Sequence, residues 1–162
     1  MDSRRAERSP ADLSSVLGAD LAKVERIAAF VPFGHEPGVA PRPGWLLPVL
    51  LPDDDLNWAE YDGQLVPGRH GLLEPVGARL GVEAISGCEL VLVPALLVDR
   101  RGVRLGRGGG SYDRALRRAT GLTVALVHDD ELVEELPCEE HDVRVAAVAT
   151  PGGGLMRLTG KM

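Results

Sequence analysis

The sequence predicts an α/β fold with a mainly parallel sheet covered on both faces, and three observations carry that expectation. Short continuous apolar runs, among them Leu90–Pro94 and Leu122–Val127, read as strands buried on both sides rather than alternating half-exposed ones. Segments with helical spacing and turn residues separate them. A chain of 162 residues with 44% hydrophobic content is long enough for one adequate core and offers no sign of a second domain, so residues 1–162 are read as one unit.

Taken in order, residues 1–24 form an N-terminal helix region. Ser9 is placed to cap a helix that opens at Pro10, with Leu13, Val16, Leu17 and Leu21 along one face and Gly18 weakening it. Arg26 to Val31 reads as the first core strand, ended by Pro32, and Phe33-Gly34-His35-Glu36 follows at its C-terminal end, the edge where open α/β sheets bind ligands. Trp45 to Leu51 is a second strand, and Pro48 within it points to a sheet edge or a bulge. Asp53-Asp54-Asp55 reads as a solvated loop, since contiguous side chains cannot all face one ion. Residues 56–74 read as irregular, with Trp58 and Tyr61 as core or lid residues.

After the buried strand Leu90–Pro94 comes Arg104-Leu105-Gly106-Arg107-Gly108-Gly109-Gly110-Ser111-Tyr112-Asp113-Arg114. Four glycines in five positions remove the side chains that keep a ligand from the backbone and allow the positive φ that lets successive N–H groups converge on an anion. Ser111 is placed to cap a helix from Tyr112, with Tyr112, Ala115, Leu116 and Ala119 on its buried face and Gly121 as its stop. Seven arginines and a single acid, Asp113, lie between Arg100 and Arg118 in a chain of net charge −6, so basic charge gathers at the glycine loop. Asp113 is placed either to hold a metal that bridges phosphate oxygens or simply to complement the helix dipole. The loop is neither a P-loop, which needs a lysine after its last glycine, nor a dinucleotide fingerprint, whose third glycine is here Ser111.

Leu122 to Val127 is the next strand, Asp129 to Leu136 a short helix with Leu132, Val133 and Leu136 inward, and Val143 to Thr150 the last strand. Eight acids between Asp129 and Asp142, with no Lys or Arg among them, read as a solvated face. Pro151-Gly152-Gly153-Gly154 opens a frayed tail over 151–162. Cys88 and Cys138 lack metal spacing and read as free thiols. The acidic total argues against nucleic-acid binding, and no apolar run approaches a membrane span. The opening Met1-Asp2-Ser3-Arg4-Arg5 lacks a signal-peptide core, which predicts a cytoplasmic protein.

Val93-Pro94, Asp99, Gly102 and the gapless run from Arg104 to Arg114 together resemble the signature of the 5-formyltetrahydrofolate cyclo-ligase (5,10-methenyltetrahydrofolate synthetase) family. Gly34-His35-Glu36, Gly71-Leu72-Leu73-Glu74-Pro75, Leu136-Pro137 and His141-Asp142 follow family order, so the resemblance spans about Ile27 to Thr150. It implies a three-layer α/β/α sandwich, a monomer or homodimer, and ATP-dependent closure of 5-formyltetrahydrofolate to 5,10-methenyltetrahydrofolate. In that reaction the formyl oxygen attacks the γ-phosphate, and a neighbouring folate nitrogen then displaces phosphate.

The resemblance assigns Arg104 and Arg107 as catalytic. It places ATP phosphates on Arg104, Gly106, Gly108, Gly109, Gly110, Ser111, Tyr112 and Asp113. The reduced folate falls on Glu36, Glu74, Arg107 and the loop from Gly108 to Ser111, and Mg2+ on Asp113 and Asp142. Two departures stand out. Ser111 replaces the usual aromatic, and the family's basic N-terminal helix has no counterpart beyond Arg4, Arg5 and Arg8. A non-catalytic folate- or nucleotide-binding relative therefore stays open. So does a phosphosugar isomerase or CoA-transferase on a similar sheet, which needs Glu74 or Asp99 as a base in the pocket.

Overall fold

The computed structural model describes residues 11–140 and 142–158. The proposed cap Ser9, Pro10, the arginines Arg4, Arg5 and Arg8, and His141 lie outside the described residues. Among the described residues there are twelve strands: β1 (Ile27–Ala28), β2 (Leu46–Leu50), β3 (Leu56–Glu60), β4 (Leu65–Pro67), β5 (Leu73–Pro75), β6 (Leu90–Pro94), β7 (Leu97–Asp99), β8 (Arg104–Leu105), β9 (Leu122–Leu126), β10 (Leu132–Val133), β11 (Ala147–Thr150) and β12 (Gly154–Arg157). Among the described residues two α-helices join them, α1 (Gly18–Ala22) and α2 (Ser111–Leu116).

The main sheet has seven strands in the order β12-β11-β9-β6-β1-β2-β3. Its five inner strands run parallel, and antiparallel β3 and β12 close the two edges. The apolar runs alternate in face: Leu90, Leu92, Val124 and Leu126 pack with Leu13, Leu17 and Leu21. Val91, Val93, Ala125 and Val127 pack on the other side with Ile85, Ala115 and Leu116. Both faces are thus covered, one by the segment containing α1 and the other by α2 and the 3-10 turn Val82–Gly87. Continuous apolar strands follow from that double burial, as the sequence predicts.

Several elements differ from expectation for identifiable reasons. The N-terminal helix begins at Gly18, because the chain at Asp12 is held in a parallel bridge to Gly38; the predicted face of Leu13, Leu17 and Leu21 is nonetheless buried. Pro48 is neither at an edge nor in a bulge. The bonds from Tyr61 N–H to Trp45 O and from Leu51 N–H to Asp55 O set the pairing of β2 with β3, so Pro48 faces away from β3, beyond the end of β1, where no donor is needed. Residues 56–74 are not irregular, since they supply β3 and most of the β4–β5 hairpin, with Trp58 wholly buried.

Residues 129–136 form a 3-10 turn followed by β10, which pairs with β7, rather than one helix. The last strand covers only 147–150 of the predicted 143–150. The presumed tail folds back as β12 against it. Helix α2 ends at Leu116; Gly121 instead lets the chain pass the carbonyls of Cys88 and Glu89, where a Cβ would overlap them. Cys88 and Cys138 are free, the first buried and the second exposed.

Two carboxylates tie distant segments together. Asp55, far from being solvated like Asp53, receives both terminal nitrogens of Arg118 at 2.8 and 2.7 Å, which anchors the β2–β3 turn to the residues after α2. Asp99 is fully buried and accepts the N–H groups of Arg101 (2.9 Å), Val103 (3.0 Å) and Leu136 (2.9 Å) besides the Arg101 guanidinium. Burial alone would raise the Asp99 pKa, but the bonds from Leu136, Arg101 and Val103 outweigh it and hold the carboxyl below its ordinary 3.8. The Arg118 hydrogen bonds likewise hold Asp55 down.

Both folded values lie below the unfolded ones, so this stability is present above the ordinary carboxylate range and is lost as pH falls through the folded values. Denaturant melts taken across pH should show steep weakening below about pH 4. Asp99→Ala should cost about 3 kcal/mol at neutral pH and flatten that acid slope. An unchanged slope would contradict the role of Asp99.

Candidate active site

In the main sheet, β1 and β6 are neighbours, while the chain leaves β1 toward β2 on one side and β6 toward β9 on the other. The strand order therefore reverses between them, and the crevice beyond their C-terminal ends is the place where such sheets admit ligands. A cleft of about 970 Å³ occupies that position, lined by Phe30–Phe33 after β1 and Pro94–Leu96 after β6. The residues that the resemblance assigns to binding or catalysis line it: Glu36, Glu74, Arg104, Gly106, Arg107, Gly108, Gly109, Gly110, Ser111, Tyr112, Asp113 and Asp142.

The glycine loop is not fed directly by the buried strand. Between β6 and the loop, β7 and β8 form a hairpin whose return strand carries Arg104. The hairpin folds Arg104 back over the end of β6, where its Nη1 donates to Pro94 O at 2.9 Å and its guanidinium lies 5.6 Å from the centre of the Tyr112 ring. Among the described residues nothing hydrogen-bonds its Nε or the Tyr112 hydroxyl, two buried polar atoms of residues that line the cleft. Burial lowers the Arg104 pKa, opposed by the negative charge of Asp113 and Asp142. Burial pushes the Tyr112 phenol up, against the pull of Arg104, so it stays a neutral donor.

Gly108, Gly109 and Gly110 are consecutively left-handed, with φ of 101°, 75° and 74°. A side chain would be strained at each. Among the described residues no hydrogen bond uses their N–H groups, whereas Gly109 O is taken by Arg114 Nη1 at 3.1 Å and Gly110 O by Arg114 N–H at 3.1 Å. The loop thus ties down carbonyls and leaves donors for an anion. Gly110, not Ser111, is the N-cap, and no side chain caps α2; Ser111 is its first helical residue.

On the opposite wall, Phe33 and Glu36 close a turn reciprocally, Phe33 N–H donating to Glu36 Oε1 at 2.9 Å and Glu36 N–H to Phe33 O at 3.2 Å. The Glu36 carboxylate is buried, with its other oxygen 3.8 Å from Arg107 Nε. Asp142 Oδ2 accepts Glu139 N–H at 2.9 Å, at the end of the strap that Asp99 fixes through Leu136. Glu74 lines the cleft and is paired with Arg79 at 3.0 Å, whereas Asp99 does not line it. Among the described residues no set of three or more side chains is arranged for a metal. Asp113 and Asp142 are nevertheless two hard oxygen donors on one cleft.

Sequence reasoning missed part of the lining. Asp54, left-handed at φ 70°, lies beside Gly109, and Arg69, His70, Leu72 and Leu105 also border the cleft. Trp58 and Tyr61, read from the sequence as core or lid residues, do not line it.

The family model described as the 5-formyltetrahydrofolate cyclo-ligase family matches residues 8–151. A 5-formyltetrahydrofolate cyclo-ligase of Mycolicibacterium smegmatis is 44% identical over 148 residues, covering 82% of this chain and 76% of that protein. One from Escherichia coli K12 is 38% identical over 112 residues, covering 65% of this chain and 62% of its own length, so the match spans less than two thirds of that relative. The NMR structure of Aquifex aeolicus 5,10-methenyltetrahydrofolate synthetase shares the fold, with a TM-score of 0.76 at 24% identity over 99% of this chain and 90% of that one. A Mycoplasma pneumoniae 5,10-methenyltetrahydrofolate synthetase superposes with a TM-score of 0.66 at 15% identity, covering 90% and 91% of the two chains. The chain, whose cleft at the reversal of its strand order is lined by the glycine loop with Glu36, Glu74 and Asp142, belongs to the 5-formyltetrahydrofolate cyclo-ligase family.

Proposed function

We propose that this cleft converts 5-formyltetrahydrofolate to 5,10-methenyltetrahydrofolate at the expense of ATP, releasing ADP and phosphate. The observation that carries the reading is the run of three left-handed glycines whose N–H groups, among the described residues, donate to nothing, on the same cleft as Arg104, whose buried Nε has no partner among those residues. Donors so arranged suit the oxygens of a transferring phosphoryl group.

The formyl oxygen attacks the γ-phosphorus and ADP leaves, which turns a poor oxygen leaving group into a phosphate. A neighbouring folate nitrogen then attacks the formyl carbon, loses its proton and expels that phosphate. No protein nucleophile is needed; positioning and charge neutralisation are what the chain supplies. Glu36, buried and oriented by Phe33 N–H, accepts hydrogen bonds from the amino and ring N–H donors of the pterin. Arg107, 3.8 Å from Glu36, reaches toward the formyl group from the loop side, so the two together bring the acceptor oxygen to the phosphate nest. Arg104 stabilises the charge that gathers on the phosphoryl oxygens, and Tyr112 faces its guanidinium.

Asp113 and Asp142 would hold Mg2+, whose chemistry is to bridge and neutralise phosphate oxygens. Their carboxylate donors suit that hard ion, and both act electrostatically on Arg104 from the cleft wall.

The test is the near-ultraviolet absorbance of the methenyl product formed from 5-formyltetrahydrofolate, with and without ATP and Mg2+. Wild-type chain should give ATP-dependent signal. Arg104→Ala and Asp113→Ala should each lower kcat by about a hundredfold or more while the chain stays folded. Signal without ATP, or signal that neither substitution reduces, would overturn the assignment. Replacing one of the left-handed glycines, as in Gly109→Ala, should raise the KM for ATP at least about tenfold with less effect on the folate KM.

A further inference from the structure

Among the described residues five carboxylates line the cleft: Glu36, Asp54, Glu74, Asp113 and Asp142. The reading given above uses Glu36 for the pterin and Asp113 and Asp142 for Mg2+, while Glu74 is paired with Arg79 at 3.0 Å. Asp54 is left over. Its neighbours are engaged, since Asp53 Oδ1 accepts Asp55 N–H at 3.0 Å and Asp55 is bound to Arg118. Among the described residues the Asp54 carboxylate accepts no hydrogen bond and joins no ion pair, and it is exposed toward the cleft.

Asp54 sits beside the phosphate nest, for a Cβ on Gly109 would lie 4.0 Å from the Asp54 carboxyl carbon. Its place is set by a braced turn. Asp54 N–H donates to Leu51 O at 2.9 Å, Leu51 N–H donates to Asp55 O at 2.9 Å, and Asp55 holds Arg118, just past the helix that the nest opens. Asp54 is left-handed there at φ 70°, a conformation that Asp adopts more readily than most side chains. The carboxylate and the nest thus belong to one connected unit.

A bare carboxylate in that position opposes the anion for which the nest is shaped. It is useful where a proton must be taken up next to that anion, and the proposed reaction has one such step. When the neighbouring folate nitrogen attacks the phosphorylated formyl group, it comes to lie three bonds from phosphorus, through carbon and oxygen, and so it too is close to the nest. Its N–H turns acidic as the C–N bond forms, because the nitrogen gains positive charge. The phosphoryl oxygens are poor acceptors for that proton while the glycine N–H groups and Arg104 hold them.

We propose that Asp54 is the general base of ring closure. The nitrogen lone pair forms the C–N bond, and the N–H bond breaks with its proton passing to an Asp54 carboxylate oxygen. The electron pair of the C–O bond then leaves with phosphate as the other folate nitrogen shares its lone pair with the carbon, and Asp54 returns the proton to water. The proposal rests on the folate reading given above and adds proton transfer to the positioning and charge neutralisation already assigned to the chain.

The test separates the two chemical steps in single turnovers of the full chain, with ADP measured after quenching and the methenyl product by absorbance. Asp54→Asn and Asp54→Gly both suit the left-handed turn and keep its backbone. In both variants ADP should form at close to the wild-type rate with the KM for ATP unchanged, while methenyl formation slows about a hundredfold or more, so ADP appears as a burst ahead of product. Formate should restore methenyl formation to Asp54→Gly, which leaves room for it, and not to Asp54→Asn. Equal slowing of both products with a raised KM for ATP would show that Asp54 only shapes the nest, and a change confined to the Mg2+ requirement would make it a metal ligand; either overturns the proposal. So does an unchanged methenyl rate, or a burst produced by His70→Gln instead. A wild-type chain that forms no methenyl product with ATP overturns the folate reading itself.

Discussion

The buried carboxylate of Asp99 is the constraint on which the site depends. A fully buried charge is tolerable only when its oxygens are satisfied, and here the donors come from two separate segments: the turn Arg101–Val103 and Leu136 on the later strap. Satisfying them fixes the turn of the β7–β8 hairpin, and β8 starts with Arg104 at the next residue. It also fixes the strap that leads through Pro137 to Asp142. Gly102 is part of the same device, since a Cβ there would overlap the Val145 carbonyl, whose own N–H donates to Gly102 O at 2.9 Å. Arg104 and Asp142, both on the cleft, are thus referred to one anion that does not itself line it.

The chemistry of the cleft follows from where the sheet puts it. Reversal of strand order between β1 and β6 opens a crevice into which the turn after β1 delivers Glu36 and the hairpin after β6 delivers Arg104. Arg104 and Arg107 line this edge, and the glycine loop adds neutral donors that need no desolvation of a charge. Asp55 and Arg118 brace the same region from behind, joining the β2–β3 turn, which carries Asp54 to the loop, to the residues that follow α2.

The sheet was legible because strands buried on both faces must be continuously apolar, and Leu90–Pro94 and Leu122–Val127 are. The glycine loop was legible because its donors and charges are contiguous in sequence. What periodicity could not supply were partners far along the chain. Asp55 looks like its neighbours Asp53 and Asp54, and only the fold brings Arg118 to it across 63 positions. The β4–β5 hairpin is half-exposed and broken by Pro67 and Gly68, so no apolar pattern marks it, and Leu132-Val133 fits a helix face as well as a strand beside β7. Ser111 met the rule for a helix cap, yet the left-handed geometry the nest requires belongs to Gly110, which takes that place.

The central claim, that the cleft carries the formyl oxygen to the γ-phosphate, is tested most directly by following that oxygen. 5-Formyltetrahydrofolate labelled with oxygen-18 in the formyl group would be turned over with unlabelled ATP, and the released phosphate examined by mass spectrometry. Phosphate carrying one labelled oxygen per methenyl product is the predicted result. Unlabelled phosphate, with ATP consumed and methenyl product formed, would show that the oxygen leaves by another route and would contradict the account.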